Sequence, residues 1–188
     1  MHWKGWIINM RIGIDLDDTV CNTTKLINDF AKAYAYDKNI TVEDLFMNPN
    51  EVQEFYKVYL REILEEDSVK RDFVEVYPEL RENNELFIIT ARSNDFMDEL
   101  FDMDTLTEAW FKRNEITYDG IFFNVYGEQK AMVCLKNDID VLIDDDIKNY
   151  DALTKHGIKV ILFDDRRRYP NIGLRAESWH EVLKILSD

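Results

Sequence analysis

The sequence predicts an α/β fold: a three-layer parallel sheet with helices on both faces and a helical insertion near its start. Three observations predict it. Short apolar runs rich in β-branched residues alternate with segments of helical spacing, as in crossovers between parallel strands. Polar residues suited to chemistry fall just after three of those runs. Between Asp18 and Glu85 lie 66 residues, far more than one crossover needs. About 40 to 50 of them are surplus, and they too have helical spacing.

Taken in order, residues 10–14 form the first strand, an apolar run with Ile12 and Ile14 that passes into Asp15, Asp17 and Asp18, then Thr19. Residues 22–36 have helical spacing, with Leu26, Ile27, Phe30, Ala31 and Tyr34 on one side. Thr41 opens TVEDLF, with an acid at the third position after the cap, close to a capping box. Asn48-Pro49-Asn50 breaks the pattern. Residues 51–66 then form a longer helix, with Phe55, Tyr56, Tyr59, Leu60, Ile63 and Leu64 spaced for burial. A helical piece over 73–83 is interrupted or started by Pro78. The second strand, 86–89, ends at Thr90 and leads into Ala91-Arg92-Ser93-Asn94. A helix over 95–114 carries Trp110 and Phe111 near its end. Residues 120–123 are a third strand, 127–137 a helix, and 139–143 a fourth strand ending in Asp144, Asp145 and Asp146. A helix over 147–155 stops at His156-Gly157. Residues 158–163 are the fifth strand, and Ser178 caps a last helix through Leu186.

The length of 188 residues suits one domain with a modest insertion, and 46% hydrophobic with 13% aromatic residues supplies a core. Lysine and arginine number 23 against 38 acidic residues, a formal charge of −15. That argues against long nucleic acid or an anionic membrane as partner, but not against a small phosphorylated substrate met locally by a metal and one or two cations. Cys21 and Cys134 are too few for a disulfide framework, no apolar run has membrane-spanning length, and the expected location is the cytoplasm. The opening MHWKGWIIN lacks the apolar stretch and cleavage site of a signal peptide, and Met10 is a second candidate start. A homodimer stays open. His2, His156 and His180 are scattered and form no ligand set for zinc.

Three carboxylates within four positions are costly to crowd without a counter-charge, and hard oxygen ligands select magnesium. A solvated acidic turn is the plainer alternative for that stretch taken alone. Asp15/Asp17, Thr90 and Asp144/Asp145 all fall at C-terminal strand ends, the edge where open parallel sheets bind ligands beside the reversal of strand order. If the first and fourth strands are neighbours there, four carboxylates converge on a hard-metal site with room for a phosphate oxygen.

Asp15-Leu16-Asp17-Asp18-Thr19 after an apolar strand resembles the first motif of the haloacid dehalogenase superfamily of phosphatases, Asp-x-Asp-x-Thr/Val. Phe87-Ile88-Ile89-Thr90 resembles the second motif, Lys130 suits the third, and Leu142-Ile143-Asp144-Asp145 resembles the fourth. The four occur in order across nearly all of the chain from Met10. The surplus segment lies where that superfamily places a helical cap, between the first two motifs. The resemblance implies a Rossmann-like core over residues 10–24 and 75–188 with a cap over 25–74. It implies Asp15 as a nucleophile that forms an aspartyl-phosphate, and Asp17 as the group that protonates the leaving oxygen and then activates water. Thr90, Ala91 and Lys130 would hold the phosphoryl group. Magnesium would be held by Asp15, Asp144 and the backbone carbonyl of Asp17, with Asp145 outside that set. Arg92 either contacts a substrate phosphate or supports Asp145.

Within the superfamily, Thr90-Ala91-Arg92-Ser93-Asn94, Trp110-Phe111, Tyr118-Asp119 and Lys130-x-x-x-Cys134 are most similar to the 5′(3′)-deoxyribonucleotidase type, the 5′-nucleotidase, deoxy, cytosolic type C family. That implies a nucleotidase for deoxynucleoside monophosphates; a phosphatase for another small metabolite is the alternative. Residues 76–85 depart from the pattern, lacking the glycine-bearing turn many members have there.

Lys130 is expected to carry the third motif, not Lys136. A helix after a parallel strand starts at the carboxylate edge and runs away from it, which puts Lys136 roughly 9 Å further off. Ala131, Cys134 and Leu135 mark the buried face, with Lys130 on its flank. Phe46, Phe55, Tyr56 and Tyr59 read as core before base-stacking groups, and Arg166-Arg167-Arg168 as a solvated loop before an anion site. A receiver-type signalling domain also gathers acids, a Thr and a Lys around magnesium, but its phosphoacceptor ends the third strand, where Asn124 is no Asp. A catalytically silent binding module would not need Asp17, and a P-loop is excluded because no Gly-x-x-x-x-Gly-Lys occurs.

Overall fold

The computed structural model describes residues 9–94 and 101–188. In chain order these form β1 (Arg11–Ile14), α1 (Thr23–Lys38), α2 (Val42–Met47), α3 (Pro49–Glu66), α4 (Arg71–Glu82), β2 (Glu85–Ile89), α5 (Met103–Arg113), β3 (Gly120–Phe122), α6 (Glu128–Lys136), β4 (Val141–Asp144), α7 (Ile147–Lys155), β5 (Lys159–Phe163), β6 (Arg175–Ala176) and α8 (Trp179–Ser187). The strands make one sheet in the order β3-β2-β1-β4-β5-β6, with every adjacent pair parallel. The chain thus steps outward on one side of β1, then returns to lay β4 on its other side.

Burial on both faces explains why the central strands are continuously apolar. Ile12, Ile14, Ile88, Ile143 and Phe163 face a core shared with Phe73 and Val76 of α4, Trp110 and Phe111 of α5, and Trp179 and Val182 of α8. Phe87, Ile89, Leu142 and Val160 face the opposite core, closed by Ala131 and Cys134 of α6 and Ala152 and Leu153 of α7. Gly13 permits the close packing on that second face: a methyl there would sit 2.9 Å from Leu142 and 3.1 Å from Ile89.

The helical surplus does form helices. α1, α2 and α3 pack on one another around Ala31, Tyr34, Leu45, Phe55 and Ile63, a cluster separate from those on the sheet, whereas α4 packs on α8. The chain enters and leaves α1–α3 by adjacent connections, joined by an antiparallel bridge between Cys21 and Val69 and a bond from the Lys70 amide to the Val20 carbonyl. Thr41 and Asp44 form the capping box. Phe55 is core as expected, while Phe46 is exposed.

Several boundaries differ from expectation. Asn48 and Pro49 start α3: the Asn48 side chain accepts from the Asn50 amide, and Pro49 needs no donor at the first helical position. Pro78 lies inside α4 and neither interrupts nor starts it. It sits on the exposed side, where water can reach the carbonyl it leaves unpaired, while Phe73, Val76 and Leu80 pin the opposite face. The helix expected over 95–114 begins at Met103, where the Asp102 carboxylate caps the Thr105 amide; residues 95–100 of that expectation lie outside the described residues. The fourth strand begins at Val141, not Ile139. The two-residue β6 is too short to leave a period in the sequence. Among the described residues, no helix is long and apolar enough to cross a membrane.

Candidate active site

β1 and β4 are neighbours, with Ile14 paired to Ile143, so the residues that follow them emerge side by side. The Asp15 amide continues the ladder by donating to the Ile143 carbonyl at 2.9 Å. Asp15 and Asp144 are both buried, and between them stands the ammonium group of Lys130, 2.6 Å from a carboxylate oxygen of each. Lys130 is 1% exposed whereas Lys136 is exposed, as the helical phase of α6 required. Leu135, expected on the buried face, is 52% exposed; the face is narrower than its apolar residues suggest. Asp145 completes the group, with oxygens of Asp15, Asp144 and Asp145 within 4.8 Å of one another.

Lys130 and, at the rim, Arg168 beside Asp145 are two cations against three carboxylates, which leaves an excess of negative charge. Burial pushes the Asp15 carboxyl well above the usual range; Lys130 opposes that, while Asp144 and Asp145 add to it. Burial, then Asp144 and Asp18, push Asp145 up to about 7, against the pull of Arg168. For Lys130 the cost of burial is outweighed by Asp144 and Asp15, which hold it protonated.

Not every acid of the two runs belongs to this centre. Asp18 adopts a left-handed backbone, and its carboxylate accepts from the Thr24 amide and hydroxyl, which caps the start of α1. Asp146 caps α7 by accepting from the Lys148 amide. Asn149, which the sequence reading missed, donates to both oxygens of Asp144 at 3.0 Å while its own oxygen accepts from the Gly127 amide. It thereby ties the start of α6 to the end of β4. Its position in the first turn after the Asp run was the one available signal.

Asp17 belongs to a second centre. Arg92, expected beside Asp145 or a substrate phosphate, is not at Asp145: it grips the Asp17 carboxylate with Nη2 at 2.7 Å and Nε at 3.1 Å. Asp145 is served by Arg168 at 3.2 Å. The reason is placement: Arg92 leaves β2 on one side of β1, whereas Asp145 leaves β4 on the other. Burial raises the Asp17 carboxyl, but the charge and hydrogen bonds of Arg92, with the Thr23 hydroxyl, outweigh it and hold Asp17 below the usual range. The Thr23 hydroxyl lies 2.6 Å from Asp17 and 2.5 Å from the buried Asp67, and Arg92 Nη2 lies 3.6 Å from Asp67.

Thr90, just after β2, is fully buried, its hydroxyl accepting from the Arg92 amide, and Ala91 beside it is exposed. The loop after β5 is not simply solvated. Buried Asp164 accepts from the Arg168 and Tyr169 amides and from Arg175, and the loop it shapes pairs Arg166 with Asp18 and Arg168 with Asp145. A cavity of about 290 Å³ opens at Asp17 and Arg92, walled by Ile27, Tyr56, Leu60 and Met103. Its lining comes from both the sheet edge and α1–α3.

The chain matches the model of a family described as 5′ nucleotidase, deoxy (pyrimidine), cytosolic type C protein over residues 9–187. It is 28% identical over 187 residues to a nucleotidase of Clostridium acetobutylicum, covering 94% of this chain and 93% of that one. Similar solved structures include a HAD-superfamily hydrolase of subfamily IA from Geobacter sulfurreducens, with TM-score 0.65 and 13% identity over 95% of this chain and 96% of that one. The magnesium-bound HAD-type protein YfnB of Bacillus subtilis gives TM-score 0.66 and 12% identity over 96% and 100%. At these identities the two structures speak for the fold alone.

Proposed function

Because the chain belongs to the 5′ nucleotidase, deoxy (pyrimidine), cytosolic type C family of the haloacid dehalogenase superfamily, and so is a phosphoric monoester hydrolase, we propose a finer reading: a magnesium-dependent, cytoplasmic phosphomonoesterase acting through an aspartyl-phosphate on small substrates, deoxynucleoside monophosphates first. The observation that carries it is the Lys130 ammonium shared between Asp15 and Asp144 at the ends of adjacent strands. The three carboxylates of that centre fit a hard divalent cation: all offer oxygen, and Lys130 with Arg168 leaves them under-neutralised. With the Asp145 carboxylate beside them, Asp15 and Asp144, together with the backbone carbonyl of Asp17, are the groups that would hold magnesium. When bound it offsets the charge of the transferred phosphoryl oxygens.

The chain's own groups divide the remaining work. An Asp15 oxygen attacks phosphorus, and the bond to the leaving oxygen breaks as Asp17 delivers a proton there, giving the free alcohol. Arg92 holds Asp17 ionised in the ligand-free site; a phosphomonoester dianion seated beside it raises its pKa again. Asp17, now a base, takes a proton from water as that oxygen attacks the aspartyl-phosphate, releasing phosphate and regenerating Asp15. Lys130 and Thr90 hold the phosphoryl oxygens, where stabilisation counts most. α1–α3 act as the cap, and the apolar cavity wall of Ile27, Tyr56, Leu60 and Met103 suits a flat organic group rather than a polymer.

A panel of phosphomonoesters assayed with magnesium and with chelator tests this. Metal-dependent turnover of deoxynucleoside monophosphates, absent in Asp15→Asn, is expected. Full activity in chelator or in the mutant would overturn it, and a 3′-phosphorylated oligonucleotide preferred over every monomer would overturn the substrate assignment.

A further inference from the structure

The buried group around Arg92 is built from three separate parts of the chain. Asp17 lies in the turn after β1, Thr23 opens α1 on the outgoing connection, and Asp67 closes α3 on the returning one. Arg92 reaches them from the end of β2, with 3% of its side chain exposed. Asp67 is itself fastened: it accepts from the Asn22 amide at 3.1 Å, and its carbonyl accepts from the indole of Trp110 at 2.7 Å. The remaining Arg92 nitrogen, Nη1, faces the buried Thr107 hydroxyl at 3.4 Å.

We propose that Arg92 and Thr23 are positioning residues for Asp17, anchored by Asp67, so that the Asp17 carboxylate is aimed jointly from the sheet edge and from the connection into α1. This rests on the phosphomonoesterase reading above. The physical ground is that, among the described residues, the hydrogen bonds to the Asp17 side chain come from outside its own turn. Its contacts come from β2, through Arg92, and from α1, through Thr23. A guanidinium gripping one carboxylate through two nitrogens fixes the plane of that carboxylate as well as its distance, which a single ammonium would not. Thr23 then links the aimed carboxylate to Asp67 across the two connections, and Arg92 Nη2 faces both acids. Moving α1–α3 relative to the sheet would withdraw Thr23 and Asp67 together. Misplacing a reacting group by about 1 Å costs on the order of a hundredfold in rate.

The role predicts a dependence on the leaving group that a merely structural role would not produce. Aim matters for proton delivery to an alkoxide, which cannot depart unprotonated, and hardly at all for p-nitrophenolate, which can. The experiment compares kcat/KM for a deoxynucleoside 5′-monophosphate and for p-nitrophenyl phosphate, with magnesium, in wild type, Arg92→Met, Arg92→Lys and Thr23→Val. kcat/KM reports events through transfer to Asp15, the step in which the leaving group departs. Arg92→Met and Thr23→Val are expected to lose about tenfold or more on the nucleotide and less than about threefold on p-nitrophenyl phosphate, with Arg92→Lys between wild type and Arg92→Met. Equal losses on both substrates, or none in folded variants, overturn the proposal. If Arg92→Met fails to fold by thermal melting, the nearly isosteric Thr23→Val decides. A wild type inert on both substrates overturns the phosphatase reading, and the positioning role with it; an active wild type with unselective variants overturns the positioning role alone.

Discussion

Lys130 and Arg92 are both buried cations set between two carboxylates, yet they sit in different mechanical surroundings. Lys130 lies symmetrically, 2.6 Å from Asp15 and from Asp144, and both acids belong to adjacent strands of one sheet. Arg92 lies asymmetrically, 2.7 Å from Asp17 and 3.6 Å from Asp67, and Asp67 belongs to the connection that returns from α3. The first centre is part of the frame; the second straddles a joint between two packing units. The first also carries a third carboxylate, Asp145, while at the second the Cys21 thiol and the Thr23 hydroxyl stand beside Asp17 and Asp67. On the reading proposed above, the two centres serve different tasks, holding phosphate and metal in one case and aiming a proton-transfer group in the other.

The sharpest break between the two is chemical. Asp15→Asn should reduce turnover of any phosphomonoester to background, several orders of magnitude down, because Asp15 is the proposed nucleophile; steady-state assays with magnesium check it. Next comes the loss of each cation in chelator. Lys130→Met and Arg92→Met should each cost about 3–5 kcal/mol in urea unfolding, since each leaves buried carboxylates uncompensated. Added magnesium should restore much of the loss at Lys130 and none at Arg92; equal rescue would erase the distinction between the centres.

In kinetics, Lys130→Ala should lower kcat/KM by about a hundredfold or more, with Lys136→Ala near wild type. A smaller effect is expected with pH. A carboxyl whose folded pKa is raised binds its proton more tightly in the folded state, so its ionisation costs stability as pH climbs from the ordinary value to the folded one. Asp145, pushed up to about 7, and Asp15, pushed well up, act this way. Asp17 and Asp164, both lowered, lose stability only in the acid range below the ordinary carboxylate value. The metal-free protein should therefore melt at progressively lower temperature from pH 5 to about 7, and magnesium should flatten that slope. Smallest of all, Thr41→Ala in the capping box, remote from both centres, should cost about 1 kcal/mol in unfolding and leave kcat/KM unchanged.

The two centres also differ in how far the sequence alone determined them. Asp15, Asp144 and Lys130 were legible because a strand's apolar period places the residue that ends it at the sheet edge, and a helix's phase places a lysine on its buried flank. Both are local rules, and the parallel order then brings the ends together. Caps were legible for the same reason, as at Thr41 and Ser178. The partners of Arg92 were not. A long side chain reaches whatever the crossing elements put near it, and no spacing within residues 90–94 encodes Asp17, Thr23 or Asp67. Nor could the acidic runs say which members go to chemistry: Asp18 and Asp146 are taken by helix starts, a competition settled by the amides that folding places beside them. Pro78 survives inside α4, and Leu135 stays exposed, because burial of the whole helix overrides the preference of one residue. Backbone periodicity acts over a few residues, whereas the pairing of buried charges is chosen by geometry between elements far apart in the chain, and only the packed tertiary structure supplies that geometry.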